Sequence, residues 1–167
     1  MSTVSVNTYT HSVTHVTDQM LRSLKYIIRE SGLDPAKFAG SWETTEQGIY
    51  HWLLSKHLQR VILEVSNPAN NRLVGRWDFD IDYSYGADDD GFMWLDTDAL
   101  KHSIYKQGLW PSTCDYRVVV TTKDGAPSVS GWSNTTLRST DGFVRQSIGT
   151  TIGASGLGSS TGYWRKN

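Results

Sequence analysis

The chain is poor in cysteine, proline and net charge, and each scarcity excludes a class of protein. Its 167 residues contain one cysteine, four prolines and a formal net charge of −1. The single Cys114 excludes a disulfide within the chain and fits a reducing compartment. The near-neutral balance argues against a nucleic-acid-binding protein, which normally presents a basic face. No apolar run approaches the roughly 20 residues of a membrane helix, and the N-terminus lacks the basic and apolar regions of a signal peptide. We therefore expect a cytoplasmic protein without direct contact to nucleic acid or membrane.

Aromatic residues, by contrast, are plentiful. The chain contains seven tryptophans and eight tyrosines, which indicates an aromatic core or an aromatic binding surface. A chain of this length can bury a substantial core within one domain. We expect a single domain over residues 1–167.

Three helical regions are predicted from periodicity and end signals. Apolar residues within Val13–Ile28 recur on one helical stripe, and Gly32 is typical of the residue that follows a helix. Asp34-Pro35 is a capping residue followed by proline, and the segment after Ser41 leads into a second helix with Ile49, Trp52 and Leu53 on its buried side. A third is predicted to be capped by Thr97 and to end at Gly108.

Three strands are also predicted, two between the second and third helices and one after the third, followed by a strand-capable tail. Val61–Val65 is a short β-branched strand, Asn67–Asn71 is a turn, and a second strand starts at Leu73. The loop Gly86–Gly91 ends this hairpin, and the third strand covers Tyr116–Thr122. This order predicts an α+β fold, with helices on one face of a small antiparallel sheet.

Acidic residues are concentrated in two places. Asp78, Asp80 and Asp82 alternate with apolar residues in the second predicted strand, and a run of three follows at Asp88–Asp90. The spacing does not supply both the glycine and the glutamate that an EF-hand loop requires. We therefore predict a solvated acidic sheet face, which could also recruit a basic partner, rather than a metal site.

No pattern in the chain indicates an active site. His11 and His15 have the spacing of a zinc-binding pair, but no third ligand is evident nearby. The stretch Gly153–Gly162 lacks the lysine and the following helix of a phosphate-binding loop. Cys114 has only Arg117 as a basic neighbour and is expected to be a structural thiol. The sequence therefore favours binding over catalysis, without a cofactor or a metal.

The C-terminal segment from Lys123 to Asn167 is unusual in composition. Eleven of the fourteen residues from Gly149 to Gly162 are Gly, Ser or Thr, yet the aromatic pair Tyr163-Trp164 follows. Burying the apolar side chains from Phe143 onward would contribute about 10–20 kcal/mol, whereas ordering their backbone costs about 25–50 kcal/mol. The segment therefore needs a sheet edge or a partner to hold it. We predict a mobile strap with a flexible glycine-rich span and an aromatic anchor.

The whole chain resembles bacterial HORMA-domain proteins of the group associated with cyclic-oligonucleotide anti-phage signalling (CBASS) operons. No single motif carries the resemblance, but several segments in the same order do. These segments are Thr8–Thr14, Ser31–Pro35, Arg76–Ile81, Gly131–Ser133, Arg138–Ser147 and Gly162–Arg165.

The resemblance implies a HORMA fold, in which three helices pack on a small antiparallel sheet and a C-terminal safety belt follows. The core would occupy about residues 1–123 and the belt about residues 124–167. In this group the belt wraps over a short closure-motif peptide and holds it against the sheet. The closed protein binds and activates a cGAS/DncV-like cyclic-oligonucleotide synthase (CD-NTase) in anti-phage defence. An AAA+ remodelling ATPase pulls on the N-terminus and opens it again.

Residue roles are expected from the resemblance together with the composition of the tail. The belt residues expected to bind the peptide are Trp132, Leu137, Phe143, Val144 and Ile148. Tyr163 and Trp164 are expected to latch the belt onto the core. The segment that the remodelling ATPase would grip is Met1, Ser2, Thr3, Val4 and Ser5. Two alternatives remain open at this stage: a generic peptide-binding adaptor without a role in nucleotide signalling, and a small enzyme with an unrecognised site.

Overall fold

Residues 8–85 and 93–166 are described by a computed structural model of the chain. They form four helices and six strands, and the predicted α+β class is confirmed. The helices are α1 (Thr8–Glu30), α2 (Ala36–Gly40), α3 (Trp42–Leu54) and α4 (Thr97–Gln107). The strands are β1 (Leu58–Asn67), β2 (Arg72–Asp82), β3 (Met93–Leu95), β4 (Asp115–Thr122), β5 (Phe143–Ala154) and β6 (Leu157–Lys166).

All six strands belong to one antiparallel sheet with the order β3-β5-β6-β2-β1-β4. Strands β1 and β2 are the hairpin that the turn Asn67–Asn71 predicts. The C-terminal hairpin of β5 and β6 extends the sheet on one side of β2, and β4 extends it on the other side of β1. The outer edges of the sheet are therefore β3 and β4.

The long helix α1 covers one face of this sheet. Its stripe of seven apolar residues is completely buried, which confirms the periodicity in the sequence: Val13, Val16, Met20, Leu21, Leu24, Ile27 and Ile28. Leu63, Trp77 and Phe79 lie opposite them on the sheet and are also fully buried. Gly32 adopts a φ of +91°, which few other residues tolerate, and so ends the helix as predicted.

The glycine-rich tail differs most from its prediction. The span Gly149–Gly162 is not a flexible linker, because most of it lies in β5 and β6, and its β6 part pairs with β2. Two of its glycines make room for aromatic rings: a Cβ on Gly153 would lie 2.3 Å from Trp94 Nε1, and one on Gly158 would lie 2.7 Å from the Tyr85 ring. These glycines therefore permit close packing, and the backbone pairing supplies the stabilisation that apolar burial alone lacks.

Smaller differences concern helix ends and a short strand. Asp96, not Thr97, caps α4, because its side chain accepts a hydrogen bond from Ala99 N at 3.0 Å. Strand β3 was not predicted, since only three residues form it. None of the helices in the two described segments is long and apolar enough to cross a membrane. The predicted loop Gly86–Gly91, its run Asp88–Asp90 and the N-terminal segment Met1–Ser5 lie outside the described residues.

Candidate functional site

Strand β4 forms an exposed edge of the sheet. Within residues 8–85 and 93–166 it pairs with β1 alone. Alternate backbone N–H and C=O groups of β4 therefore point outward without a neighbouring strand. Such an edge can accept an additional extended chain through main-chain hydrogen bonds.

A strap of residues 123–142 connects β4 to β5 and passes around this edge. The first half of the strap lies against α3, where Trp52 Nε1 donates a hydrogen bond to Pro127 O at 2.7 Å. Further along, Trp132 Nε1 donates to Thr44 O at 3.0 Å. The strap then reaches the opposite face of the sheet, where Arg138 contacts Glu64 of β1. It is thus attached on both sides of the β4 edge.

Trp132 attaches the strap to the helical side. Its ring packs edge-on against Trp52, with 5.1 Å between ring centroids. It also lies directly on Gly48 of α3, where a Cβ would be 2.4 Å from the indole ring. The preceding Gly131 has a φ of +89°, which turns the strap so that the indole faces the helix. A glycine in the middle of a helix, which normally weakens it, is explained here by the ring that it admits.

Glu64 attaches the strap to the opposite face. Its side chain is fully buried and accepts hydrogen bonds from Arg117 Nε at 2.7 Å and from the backbone N–H of Arg138 at 2.8 Å. The guanidinium of Arg138 also donates to the same carboxylate. Arg117 in turn donates to Thr135 Oγ1 at 2.8 Å and to Thr136 O at 2.6 Å. One buried carboxylate is therefore connected to three strap residues, directly to Arg138 and through Arg117 to Thr135 and Thr136.

The charge state of Glu64 follows from these contacts. Burial acts to raise the pKa of its carboxyl group, because the charged form loses hydration. The hydrogen bonds from the Arg138 amide and from the two guanidinium groups, with the positive charge of Arg117, outweigh burial and hold the pKa below its ordinary value. Glu64 is therefore an anion at neutral pH.

Between the β4 edge and the strap lies a groove, which contains a cavity of about 300 Å³. None of the residues that line it carries a charged side chain. The aromatic and aliphatic walls include Trp52, Val118, Val120, Val129 and Trp132, while Ser133 and Thr135 of the strap add hydroxyl groups. The groove can therefore receive an extended segment that offers uncharged side chains.

Only some of the predicted belt residues lie in this groove. Trp132 lines it, and Leu137 is an exposed residue of the strap next to Arg138. Phe143, Val144 and Ile148 belong to β5, which is separated from β4 by three strands. The structure therefore does not bring these three side chains to the groove, because the strap reaches β5 only after it has crossed the sheet.

Sequence reasoning missed the fixed wall of the groove. Trp52 was assigned to the buried side of its helix, and the residues of the Val118–Val120 run were treated simply as strand. Both assignments are right but incomplete, since Trp52 donates to a strap carbonyl and Val118 and Val120 line the cavity. The contact of Trp52 with Trp132 has no local signal, because the two residues lie far apart in the sequence.

The predicted latch residues lie on β6, where they contact β2. Tyr163 is 3% exposed and stacks on Trp77 with 5.1 Å between ring centroids. Trp164 packs on the opposite face of the sheet, where its Nε1 donates to Asp78 Oδ2 at 3.0 Å. Arg76 lies over the Trp164 ring at 5.2 Å from its centre. The two aromatic side chains therefore hold β6 on both faces of the sheet.

Of the acidic row of β2, only Asp82 is exposed to solvent as the sequence predicts. Asp78 is fully buried, where its Oδ1 accepts a hydrogen bond from Arg76 Nε at 2.7 Å. Asp80 accepts from Arg60 Nε at 2.5 Å and from Arg145 Nη2 at 3.3 Å. The prediction is wrong for Asp78 and Asp80 because arginines of β1, β2 and β5 neutralise the carboxylates. This network joins β1, β2 and β5 without involving the strap.

The described residues offer little for catalysis. They contain no group of three or more His, Cys, Asp or Glu side chains that could hold a metal ion. His11 is exposed, and His15 Nε2 lies 3.3 Å from Trp94 O. Burial raises the pKa of the Cys114 thiol, which disfavours the thiolate that a nucleophile requires.

Comparisons with known proteins agree with this architecture. The family described as "Bacterial HORMA domain 2" matches residues 1–167, and no curated protein matches the chain. A chain of the Mitotic Checkpoint Complex has a similar fold, with a TM-score of 0.75 and 11% identity over 93% of this chain and 99% of that chain. C. elegans HTP-2 bound to the HIM-3 closure motif gives a TM-score of 0.68 at 10% identity, over 99% of both chains. The E. coli MS115-1 HORMA:CdnC:Trip13 complex gives 0.60 at 14% identity, over 100% of this chain and 97% of that chain. At these identities the likeness establishes the fold.

Proposed function

Because the chain belongs to the family of bacterial HORMA domains, we propose that it is a regulator that encloses a closure-motif peptide in the groove between β4 and the strap. The single observation that carries this proposal is the β4 edge, which is free of a strand partner among the described residues and is bridged by a strap fastened on both sides. A peptide would enter as an added strand and hydrogen-bond to the backbone of β4.

The division of the chain in this proposal follows the strap. The core covers about residues 1–123 and the belt about residues 124–167, and β4 ends at Thr122 close to this boundary. The belt then has two parts, namely the strap that covers the groove and the β5–β6 hairpin that anchors the strap on β2. Tyr163 and Trp164 form the latch of the hairpin.

The peptide-binding residues are revised in the light of the geometry. We keep Trp132 and add Trp52, Val118 and Val120 as the wall of the groove. Phe143, Val144 and Ile148 are instead assigned to the anchoring hairpin, because they lie in β5.

The regulated partner in this proposal is a cyclic-oligonucleotide synthase of anti-phage defence, activated by the closed, peptide-bound domain. The fold that this chain shares with the HORMA component of the HORMA:CdnC:Trip13 complex supports the choice of partners. An AAA+ remodelling ATPase would open the domain again. In this proposal the chain is a binding subunit, as expected of a HORMA domain.

The proposal is tested with the purified domain and a cognate synthase. A peptide is first selected against the wild-type domain from a random displayed library. We expect the synthase to make little or no cyclic oligonucleotide alone and to become active when domain and peptide are both added, since the closed domain is the proposed activator. Equal output with and without the domain contradicts the activator role. Peptide binding without any effect on the synthase favours the adaptor alternative.

A second prediction concerns the N-terminus, which lies outside the described residues. Deleting Met1–Ser5 removes a polar segment that precedes the apolar stripe of α1. We expect peptide affinity and thermal stability to be unchanged, because the deletion takes away none of the side chains of the groove. ATP-driven release of the peptide by the remodelling ATPase is expected to be lost. Release at the wild-type rate from the shortened domain would show that the ATPase grips another segment.

A further inference from the structure

Glu64 lies inside the sheet and is nevertheless connected to the strap by hydrogen bonds. It belongs to β1, one strand inward from the open edge, and pairs across the sheet with Arg117 of β4. Arg117 reaches from this carboxylate outward to Thr135 and Thr136, which lie beyond the edge. The strap is therefore tied to Arg117 of the edge strand and, through it, to a buried anion in the interior of the sheet.

The second arginine completes the attachment from the strap itself. Arg138 donates to Glu64 through both its backbone N–H and its guanidinium. The same guanidinium donates to Asn71 O at 3.0 Å and to Asn71 Oδ1. Arg138 is thus held between a carboxylate and the turn that joins β1 to β2, and its position sets the register of the strap on this face.

The three charged side chains of Glu64, Arg117 and Arg138 differ in their access to water. The side chain of Glu64 is fully buried, whereas those of Arg117 and Arg138 are 32% and 21% exposed. If the strap lifts, Arg138 can become hydrated, whereas the Glu64 carboxylate loses both donors of Arg138 and keeps only Arg117 as a charged partner. A buried charge that loses a partner carries a large penalty. Opening of the strap is therefore opposed chiefly at Glu64.

We propose that Glu64 is the positioning residue that fastens the strap and thereby sets the rate at which an enclosed peptide is released. This role rests on the peptide-binding function proposed above, but the fastening itself is independent of any peptide. It also differs from the latch, because Glu64 acts on residues 135–138 and not on the C-terminal hairpin.

The fastening is tested without a peptide by limited trypsin digestion. Trypsin cleaves after Arg138 only when this side chain leaves Glu64 and Asn71 and enters the protease. The variant Glu64→Gln keeps nearly the same shape and an acceptor for the Arg138 amide but removes the charge. Because hydrogen bonds to charged groups are the stronger ones, we expect cleavage after Arg138, identified by mass spectrometry, to accelerate at least about tenfold.

A matched control is available on the same face of the sheet. Asp80→Asn also removes a carboxylate that binds two arginines, Arg60 and Arg145, but this network does not touch the strap. Cleavage after Arg138 in Asp80→Asn should stay at the wild-type rate. Equal cleavage rates in the Glu64 and Asp80 variants would overturn the fastening role.

The second readout is the dissociation rate of the library-selected peptide. We expect Glu64→Gln to raise it about tenfold, in proportion to the faster opening of the strap. Faster cleavage together with an unchanged dissociation rate would overturn the claim that Glu64 controls release. If selection gives no peptide for the wild-type domain, the proposed function fails, whereas the digestion still decides whether Glu64 fastens the strap.

A second variant, Arg117→Lys, tests the same fastening in case Glu64→Gln does not fold. Arg117→Lys leaves Glu64 with a neighbouring cation but cannot donate to the carboxylate, Thr135 and Thr136 together. It should accelerate both cleavage after Arg138 and peptide release in the same direction. Thermal melting of each variant shows whether the domain remains folded, and an Arg117→Lys domain that is folded and wild-type in both rates would overturn the proposal.

Discussion

Replacing Tyr163 and Trp164 together with alanine is expected to accelerate peptide release by about a hundredfold or more, since the two side chains contribute on the order of 3–5 kcal/mol by burial. Tyr163 is almost completely buried against Trp77, and Trp164 donates to the buried Asp78 on the other face. Neither side chain lies in the groove. Their loss should therefore act through the hairpin, which must stay on β2 to hold the end of the strap.

The measurement is the dissociation rate of a fluorescent library-selected peptide in the presence of unlabelled competitor. The control changes Arg165 and Lys166 to alanine, two exposed residues that follow in the same strand. This control should release peptide at the wild-type rate. Because an enclosed peptide leaves only when the belt opens, most of the effect should appear in dissociation and little in association.

Two outcomes are informative. A double variant that is less stable to heat but has an unchanged dissociation rate would show that these aromatics stabilise the core without acting as the latch. If the double variant does not fold, Trp164→Ala alone carries the test, because Trp164 is only half-buried. About a tenfold acceleration is expected from that single change, since it removes one hydrogen bond to a charged group and part of a ring contact.

Much of the fold was predictable because its signals are local. The stripe of α1 and the alternation in β2 follow directly from the periodicities of helix and strand. The C-terminal hairpin was not predicted, because glycine can indicate either a flexible chain or close packing against another side chain. Gly153 and Gly158 were interpreted as sources of flexibility, yet they lie against the rings of Trp94 and Tyr85. Such a contact involves residues far apart in the sequence and leaves no mark in the glycine-rich segment itself.

Within the candidate site, too, some residues have a local signal in the sequence and others depend on contacts with distant residues. Trp132 was identifiable as an isolated large aromatic residue in a polar stretch. Glu64 and Asp78 were not, because a carboxylate within an apolar strand reveals nothing about the arginines that neutralise it. Arg138, for example, is 74 residues away from Glu64 along the chain. The groove arises where the strap crosses the sheet, and this crossing is a property of the topology alone.

The contact between Trp132 and Gly48 provides the most direct test of whether the groove binds the peptide. Gly48→Leu is expected to weaken peptide binding about a hundredfold, because it displaces a tryptophan that forms one wall. Even the Cβ of the new side chain would lie 2.4 Å from the indole ring, so the ring must move and the strap with it. The hydrogen bond from Trp132 Nε1 to Thr44 O would be broken at the same time.

Gly40→Leu is the matched control for this change. Gly40 also belongs to a helix, but no atom lies within 4 Å of the position of its Cβ. Leucine is a better helix former than glycine by up to about 1 kcal/mol. Both variants should therefore gain local helix stability, and only Gly48→Leu should lose peptide. If Gly48→Leu stabilises its helix and yet weakens peptide binding, the loss of affinity cannot come from general destabilisation of the domain.

A double-mutant cycle shows whether the loss passes through the contact between Gly48 and Trp132. Trp132→Ala removes the ring without introducing a clash and should weaken binding in the same direction. If both changes act on this single contact, adding Gly48→Leu to Trp132→Ala should cost little more, because the ring that the leucine would displace is already absent. Fully additive losses would mean that Gly48 acts on the groove in some other way. Wild-type affinity in Gly48→Leu would show that the contact between Trp132 and Gly48 is not required to hold the peptide.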